Sequence, residues 1–197
     1  MNDFLSTEIA AASARLVVEE GLEYGPAKRK AARTLGQRLS HRALPSNEAV
    51  EDEVRVYLAL FRADTQPAEL AALRLLAQEW MEVLAEFRPH LTGAVWRGTA
   101  TRLNNVHLQL FCDDSKAAEI ALINRGIDYE VDSHRGPRGG DVDMLLISCP
   151  CPALGERVTL CLSILDHDDL RGALRPDARG RAERGDAAAL RRLLGSA

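Results

Sequence analysis

The sequence predicts an α+β fold, in which an N-terminal helical segment packs on a mixed sheet of about five strands. Two features of the chain carry this prediction. Up to residue 90, apolar side chains recur every three or four positions, which is the period of one face of an α-helix. From Thr92 onward they alternate with polar side chains, which is the period of a half-buried strand.

The composition is that of a protein that folds on its own. The 197 residues suffice to bury a core, and the net charge of -4 gives no overall attraction to nucleic acid or to a membrane surface. No apolar run approaches the ~20 residues that span a bilayer, and the first residues lack the pattern of a signal peptide. We therefore expect a cytoplasmic protein that makes no membrane contact.

The cysteines do not have the spacing of a zinc site. Cys149 and Cys151 are separated by one residue, which is shorter than the usual gap between two zinc ligands. We expect Cys112, Cys149, Cys151 and Cys161 to be reduced thiols in the core or in loops.

Four helices are predicted in the first 90 residues, and the third and fourth have the most extended apolar stripes. Their ends are indicated by residues that favour helix termini: Ser6 and Gly21, Pro26 and Gly36, Ser46, and Pro67 with Pro89. A short linker is expected at residues 40–45. The second helix carries a basic cluster of Lys28, Arg29, Lys30 and Arg33. This cluster is either a surface for RNA or protein or simply a solvated helix face.

The second half of the chain predicts short strands separated by helices. Strands are expected at residues 94–97, 106–110, 127–131, 142–148 and 157–165, and helices after Ser115, Asp168 and Asp186. The predicted organisation is a helical segment over residues 1–90 and an α+β domain over residues 91–197, which together form one compact unit.

The segment from Gly98 to Phe111 is the most informative part of the chain. A turn of small residues, which begins with Gly98 and Thr99, leads into a strand whose polar positions are Asn105, His107 and Gln109. This pattern resembles the polymerase-beta-type nucleotidyltransferase superfamily, in which such a turn precedes a strand with two acids one residue apart. In that family a third acid follows on a later strand, and Asp143 is the best match to it. The resemblance covers roughly residues 91–165, and the spacing from Gly98 to Asn105 is tighter than the usual family pattern.

The resemblance implies a nucleotide site with altered chemistry. Transferases of this type use carboxylates to hold two magnesium ions, whereas this chain has Asn105 and His107 at the positions of two acids. The implied catalytic residues are Asn105, His107 and Asp143, of which His107 and Asp143 would hold Mg²⁺ or Mn²⁺. The implied phosphate contacts are Gly98, Thr99, Arg102, Arg179 and Arg181. The alternative is that Asn105, His107 and Gln109 are only the solvent face of a half-buried strand.

Two charged clusters follow the last long strand. Residues 166–169 read Asp-His-Asp-Asp, which suits either a helix cap or, together with His107 and Asp143, a metal site. Arginines then occur in a segment rich in glycine and proline: Arg171, Arg175, Arg179, Arg181 and Arg184. They suit phosphate capture, or they belong to a polar loop of mixed charge.

A second resemblance concerns residues 20–36, which are similar to a family of short proteobacterial proteins, some of which carry a cell-wall amino-acid ligase label. The chain lacks the glycine-rich phosphate loop ending in Lys-Ser or Lys-Thr, so it gives that activity no support.

Two functions follow from the sequence. The first is a nucleotidyltransferase-like protein that binds a nucleotide or a phosphorylated partner, with weak, altered or lost transferase activity. The second is a non-catalytic module that binds protein or RNA through its N-terminal helices.

Overall fold

The computed structural model describes residues 3–36, 43–136, 139–170 and 179–195. The helices in these ranges are α1 (Asp3–Glu20), α2 (Tyr24–Thr34), α3 (Asn47–Phe61), α4 (Gln66–Val83), α5 (Gly93–Arg97), α6 (Lys116–Asn124) and α7 (Ala187–Gly195). The strands are β1 (His90–Thr92), β2 (Val106–Cys112), β3 (Glu130–Arg135), β4 (Asp141–Cys151), β5 (Glu156–Asp166) and β6 (Arg184–Gly185). The predicted α+β class is therefore confirmed. None of these helices is long and apolar enough to cross a membrane.

The chain forms two compact units. The first comprises the chain up to Ala68 together with Thr99–Leu103, and the second comprises Glu69–Gly98 and the chain from Asn104 onward. Most of α4 thus belongs with the sheet in this division. Within this unit, the Arg74 guanidinium on α4 donates hydrogen bonds to the carbonyl oxygens of Val95 and Trp96, at 3.2 and 3.3 Å. The predicted boundary at residue 90 stays a prediction.

In the first unit, α1 packs against α2 and α3 through small side chains. Ala10, Ala14 and Ala27 are at most 2% exposed. Alanines at a helix contact let the backbones approach closely, while larger side chains of α3 fill the remaining space: Val50, Val54 and Leu58. The predicted start of α3 is confirmed, since the Ser46 hydroxyl oxygen accepts a hydrogen bond from the Ala49 amide at 3.1 Å.

The second unit is built on a six-stranded sheet with the order β3-β4-β5-β2-β1-β6. Strands β2 and β5 are parallel and all other neighbours are antiparallel, so the sheet is mixed, as predicted. One row of paired leucines crosses four strands: Leu145, Leu162, Leu108 and Leu91. All four side chains are fully buried. This row marks the buried face of the sheet.

The predicted strand at residues 94–97 is wrong, because the chain forms the short helix α5 there. Valine and tryptophan favour strands locally, but this preference is weak and depends on context. Gly93 begins the helix with a φ of 72°, and Gly98 ends it with a φ of 81°. Arg74 binds two of the carbonyl groups that a helix end leaves unpaired, and only the tertiary fold supplies that arginine.

Other element ends differ by a few residues. Strand β3 begins at Glu130, whereas residues 127–131 were expected to form that strand. The helix α6 follows Ser115, whose side chain makes no capping hydrogen bond. The predicted start of α7 is confirmed, since the Asp186 carboxylate accepts a hydrogen bond from the Ala189 amide at 2.8 Å. The four cysteines are buried free thiols, as predicted.

Candidate functional site

The polar side chains of β2 share one face of the sheet. Val106, Leu108 and Leu110 are fully buried on one side of the strand, whereas His107 and Gln109 are half-buried on the other. Alternation along a strand places successive side chains on opposite faces. Asn105 is exposed and precedes the first residue of β2.

Asp143 lies on the other face of the sheet. It is two residues from Leu145, so its side chain points to the same side as the buried leucine row. His107 pairs with Cys161 of β5, and Asp143 is on β4, beyond β5. Two strand spacings of about 4.8 Å and the sheet itself therefore separate the two side chains. The pair His107 and Asp143 cannot share one metal ion in this fold.

The strand partners of His107 are not acids. Its partner on β1 is Thr92, and its partner on β5 is the buried Cys161. We call the surface formed by Thr92, His107, Gln109, Cys161 and Arg184 the His107 face, because strand register and alternation place these side chains on the same side of the sheet. None of these side chains is a carboxylate.

Arg184 of β6 reaches across β1 to this face. Its Nη1 donates a hydrogen bond to Oε1 of Gln109 at 2.5 Å. The segment before β6 is attached to the sheet by two further hydrogen bonds. The Thr92 hydroxyl donates to the Glu183 carbonyl oxygen at 3.1 Å, and the Trp96 indole nitrogen donates to the Ala182 carbonyl oxygen at 2.7 Å. The backbone that leads to Arg184 is therefore held against β1 and α5.

The glycine beside His107 is Gly93 rather than Gly98. A Cβ atom built on Gly93 would lie 3.7 Å from Cδ2 of His107, whereas one on Gly98 would lie 3.5 Å from the Arg74 guanidinium. Gly93 was not among the site residues predicted from the sequence. The spacing was a signal for it, because the interval from Gly98 to Asn105 is tighter than the usual family pattern and the interval from Gly93 is longer.

The remaining predicted phosphate contacts have different surroundings. Thr99 is 3% exposed, and its buried hydroxyl oxygen has no hydrogen-bond partner among the described residues. Thr99 and exposed Arg102 belong to the first unit, whereas the His107 face belongs to the second. Arg179 is exposed and Arg181 half-buried in the segment before β6. Arg171 and Arg175 lie outside the described residues.

Asp143 lines an acidic cleft of about 380 Å³ at the end of β5 where the strand leads into the His167–Leu170 turn. Three other aspartates line it: Asp141, Asp166 and Asp169. Asp166 accepts a hydrogen bond from the Asp168 amide at 2.8 Å, so the capping residue is Asp166 rather than the predicted Asp168. No group of three potential ligands that could hold a metal ion occurs in the described part of the chain.

The basic cluster on α2 is not a uniform cationic surface. Lys28 is 6% exposed, and its Nζ donates hydrogen bonds to the Pro45 carbonyl oxygen at 3.0 Å and to Oδ1 of Asn47 at 2.8 Å. Burial lowers the pKa of Lys28, and nearby Arg29 lowers it further. Lys30 forms an ion pair with Glu20 at 2.5 Å, while Arg29 and Arg33 are exposed. Lys28 therefore stabilises the first unit, and its predicted role as a surface cation is wrong.

No model of a known protein family matches the chain, and no curated protein matches it either. The resemblance of residues 91–165 to nucleotidyltransferases therefore stays a prediction from the sequence.

Proposed function

We propose that the protein binds a nucleotide on the His107 face of its sheet, and that its nucleotidyl transfer activity is weak, altered or lost. A phosphorylated partner could present the same phosphate chemistry. The observation that carries the proposal is the make-up of this face. Thr92, His107, Gln109 and Arg184 supply hydrogen-bond donors and one fixed positive charge, and none of these four side chains is an acid.

A face of this kind suits a phosphate and does not suit two-metal chemistry. Phosphate oxygens accept hydrogen bonds from guanidinium, hydroxyl, amide and imidazole groups. Two magnesium ions need charged oxygen ligands close to the phosphates. The aspartates that line the acidic cleft include Asp143, whose side chain is on the side of the buried leucine row and not on the His107 face. Nucleotide binding without efficient transfer is therefore the function we favour.

The position of Gly93 adds to the likeness. Taking Gly93 as the glycine of the turn lengthens the interval to Asn105 by five residues, which removes the tight spacing noted for Gly98. Gly93 also lies next to His107, where a side chain would restrict access to the imidazole.

Isothermal titration calorimetry with each nucleoside triphosphate tests the proposal. We expect binding that persists in EDTA, because the face has no acids for a metal to bridge. Protein with no heat of binding and no change in Tm for any nucleotide, with or without Mg²⁺ or Mn²⁺, would exclude the proposed function.

The buried free thiols suit a reducing compartment, and we propose that the protein acts in the cytoplasm.

A second candidate is a protein-interaction module that uses the N-terminal helices. Val56, Leu60 and Phe61 on α3 are 52%, 69% and 66% exposed. Contiguous exposed apolar side chains mark interaction surfaces. Because Lys28 is buried and Lys30 is paired, the observations favour a protein with an apolar surface over RNA as the partner.

Photo-crosslinking distinguishes this candidate. A benzophenone amino acid at position 60 should give a protein adduct that disappears with Phe61→Ser. The same group at position 75, where Leu75 is 51% exposed on α4, is the control. Equal adducts from both positions, or an RNA adduct, would contradict the candidate.

A further inference from the structure

Arg184 is a cation whose hydrogen-bonding capacity is mostly unused. In the described part of the chain, its guanidinium forms one side-chain hydrogen bond, to Gln109. Its Nε is buried and has no hydrogen-bond partner there. A guanidinium has five N–H donors, so one neutral amide leaves most of them unpaired.

No acid forms an ion pair with Arg184 among the residues that the structure describes, and a half-buried charge without a counter-ion is unfavourable. Buried polar groups are nearly always paired, because an unpaired buried donor loses its hydrogen bonds to water without a replacement. A carboxylate would be the ordinary partner, yet the neighbour that orients Arg184 is an amide. Gln109 is the uncharged counterpart of glutamate, so it holds the guanidinium in place and leaves its charge available to an anion.

The surroundings match the size of one phosphate group. Gln109 and His107 are two positions apart on β2, so their side chains leave the strand about 7 Å from each other on one face. The Arg184 guanidinium is hydrogen-bonded to the Gln109 side chain. A tetrahedral oxyanion between the guanidinium and the imidazole would be within reach of both.

We propose that Arg184, oriented by Gln109, binds a phosphate group of the nucleotide next to His107. The proposal rests on the proposed function and names the residue that recognises the ligand. Gln109 acts as a positioning residue, because it contacts the guanidinium.

Gln109→Glu is the decisive variant. The new carboxylate has the same shape as the amide and would form an ion pair with Arg184, so the fold should be retained while the anion is displaced. Arg184→Met removes the charge itself. Asn124→Asp, which adds the same charge at an exposed position of α6, is the control.

Binding of ATP, tripolyphosphate and adenosine is measured by calorimetry in EDTA, and Tm reports the fold. We expect Gln109→Glu and Arg184→Met to lower the affinity for ATP and for tripolyphosphate roughly 10- to 100-fold, which corresponds to the loss of a charged hydrogen bond. Adenosine should bind each variant like wild type, and Asn124→Asp should bind all three ligands like wild type.

The outcomes separate the two proposals. Wild-type affinity of Gln109→Glu for ATP would overturn the role of Arg184 and leave the proposed function intact. If wild type bound tripolyphosphate but not ATP, and Gln109→Glu weakened that binding, Arg184 would be upheld as an anion site and the nucleotide excluded. Binding of neither ligand would overturn both.

Discussion

His107 and Asp143 lie on opposite faces of one sheet, with β5 between their strands. Side chains this far apart, on opposite faces of a sheet, usually contribute to stability independently. We therefore expect the destabilisations of His107→Ala and Asp143→Ala to add within about 0.5 kcal/mol in the double variant, as measured by urea unfolding. An interaction energy above roughly 1 kcal/mol would show that the two side chains are energetically coupled.

Lys28 should contribute to folding rather than to binding. Lys28→Met leaves the buried Pro45 carbonyl and the Asn47 side chain without their donor, so we expect a loss of about 1–3 kcal/mol. Arg29→Met, at the neighbouring exposed position, should change stability by less than about 0.5 kcal/mol. Chemical denaturation measures both. Equal effects of the two substitutions would argue against the buried role.

Gly21 and Gly36 form a matched pair. Both have positive φ angles, of 68° and 71°, but a Cβ on Gly21 would lie 3.2 Å from Cβ of Leu103, whereas one on Gly36 would meet nothing within 4 Å. Each alanine substitution should cost about 1–2 kcal/mol in backbone strain. Gly21→Ala should lose more because of the additional contact. Urea unfolding tests this order, and a larger loss for Gly36→Ala would refute it.

Gly185 lies against the Trp96 ring. A Cβ on Gly185 would overlap the Trp96 indole, so Gly185→Ala must displace the indole or detach β6. We expect a lower Tm and a shifted tryptophan emission spectrum. Gly140→Ala, where a Cβ would meet nothing within 4 Å, is the control. Unchanged emission in Gly185→Ala would mean that this contact is absent in solution.

The Cys149 thiol should make stability depend on pH in the alkaline range. Burial raises its pKa from 9.0 to about 11. The folded protein holds this proton more tightly than the unfolded chain, so the contribution is complete below pH 9 and is lost as pH rises toward 11. Wild type should lose up to about 2 kcal/mol more than Cys149→Ala across this window in urea unfolding. Parallel stability curves would contradict the assignment.

The candidate site was only partly visible in the sequence. The polar positions of β2 were predicted from alternation, and Arg184 belonged to the predicted cluster of loop arginines. The contact between Arg184 and Gln109 could not be predicted, because the two residues are 75 positions apart and meet only through the pairing of β6 with β1. Gly93 was missed for a similar reason, since its nearness to His107 depends on the pairing of Thr92 with His107.

By itself the sequence determined the α+β class, most helices and the alternating strands, because local periodicity decides which side chains can be buried together. The tertiary structure decided which polar groups meet. Strand order separated His107 from Asp143, brought Arg184 to Gln109 and buried Lys28 against Pro45. These relationships join residues far apart along the chain, and register and packing fix them, which no local pattern encodes.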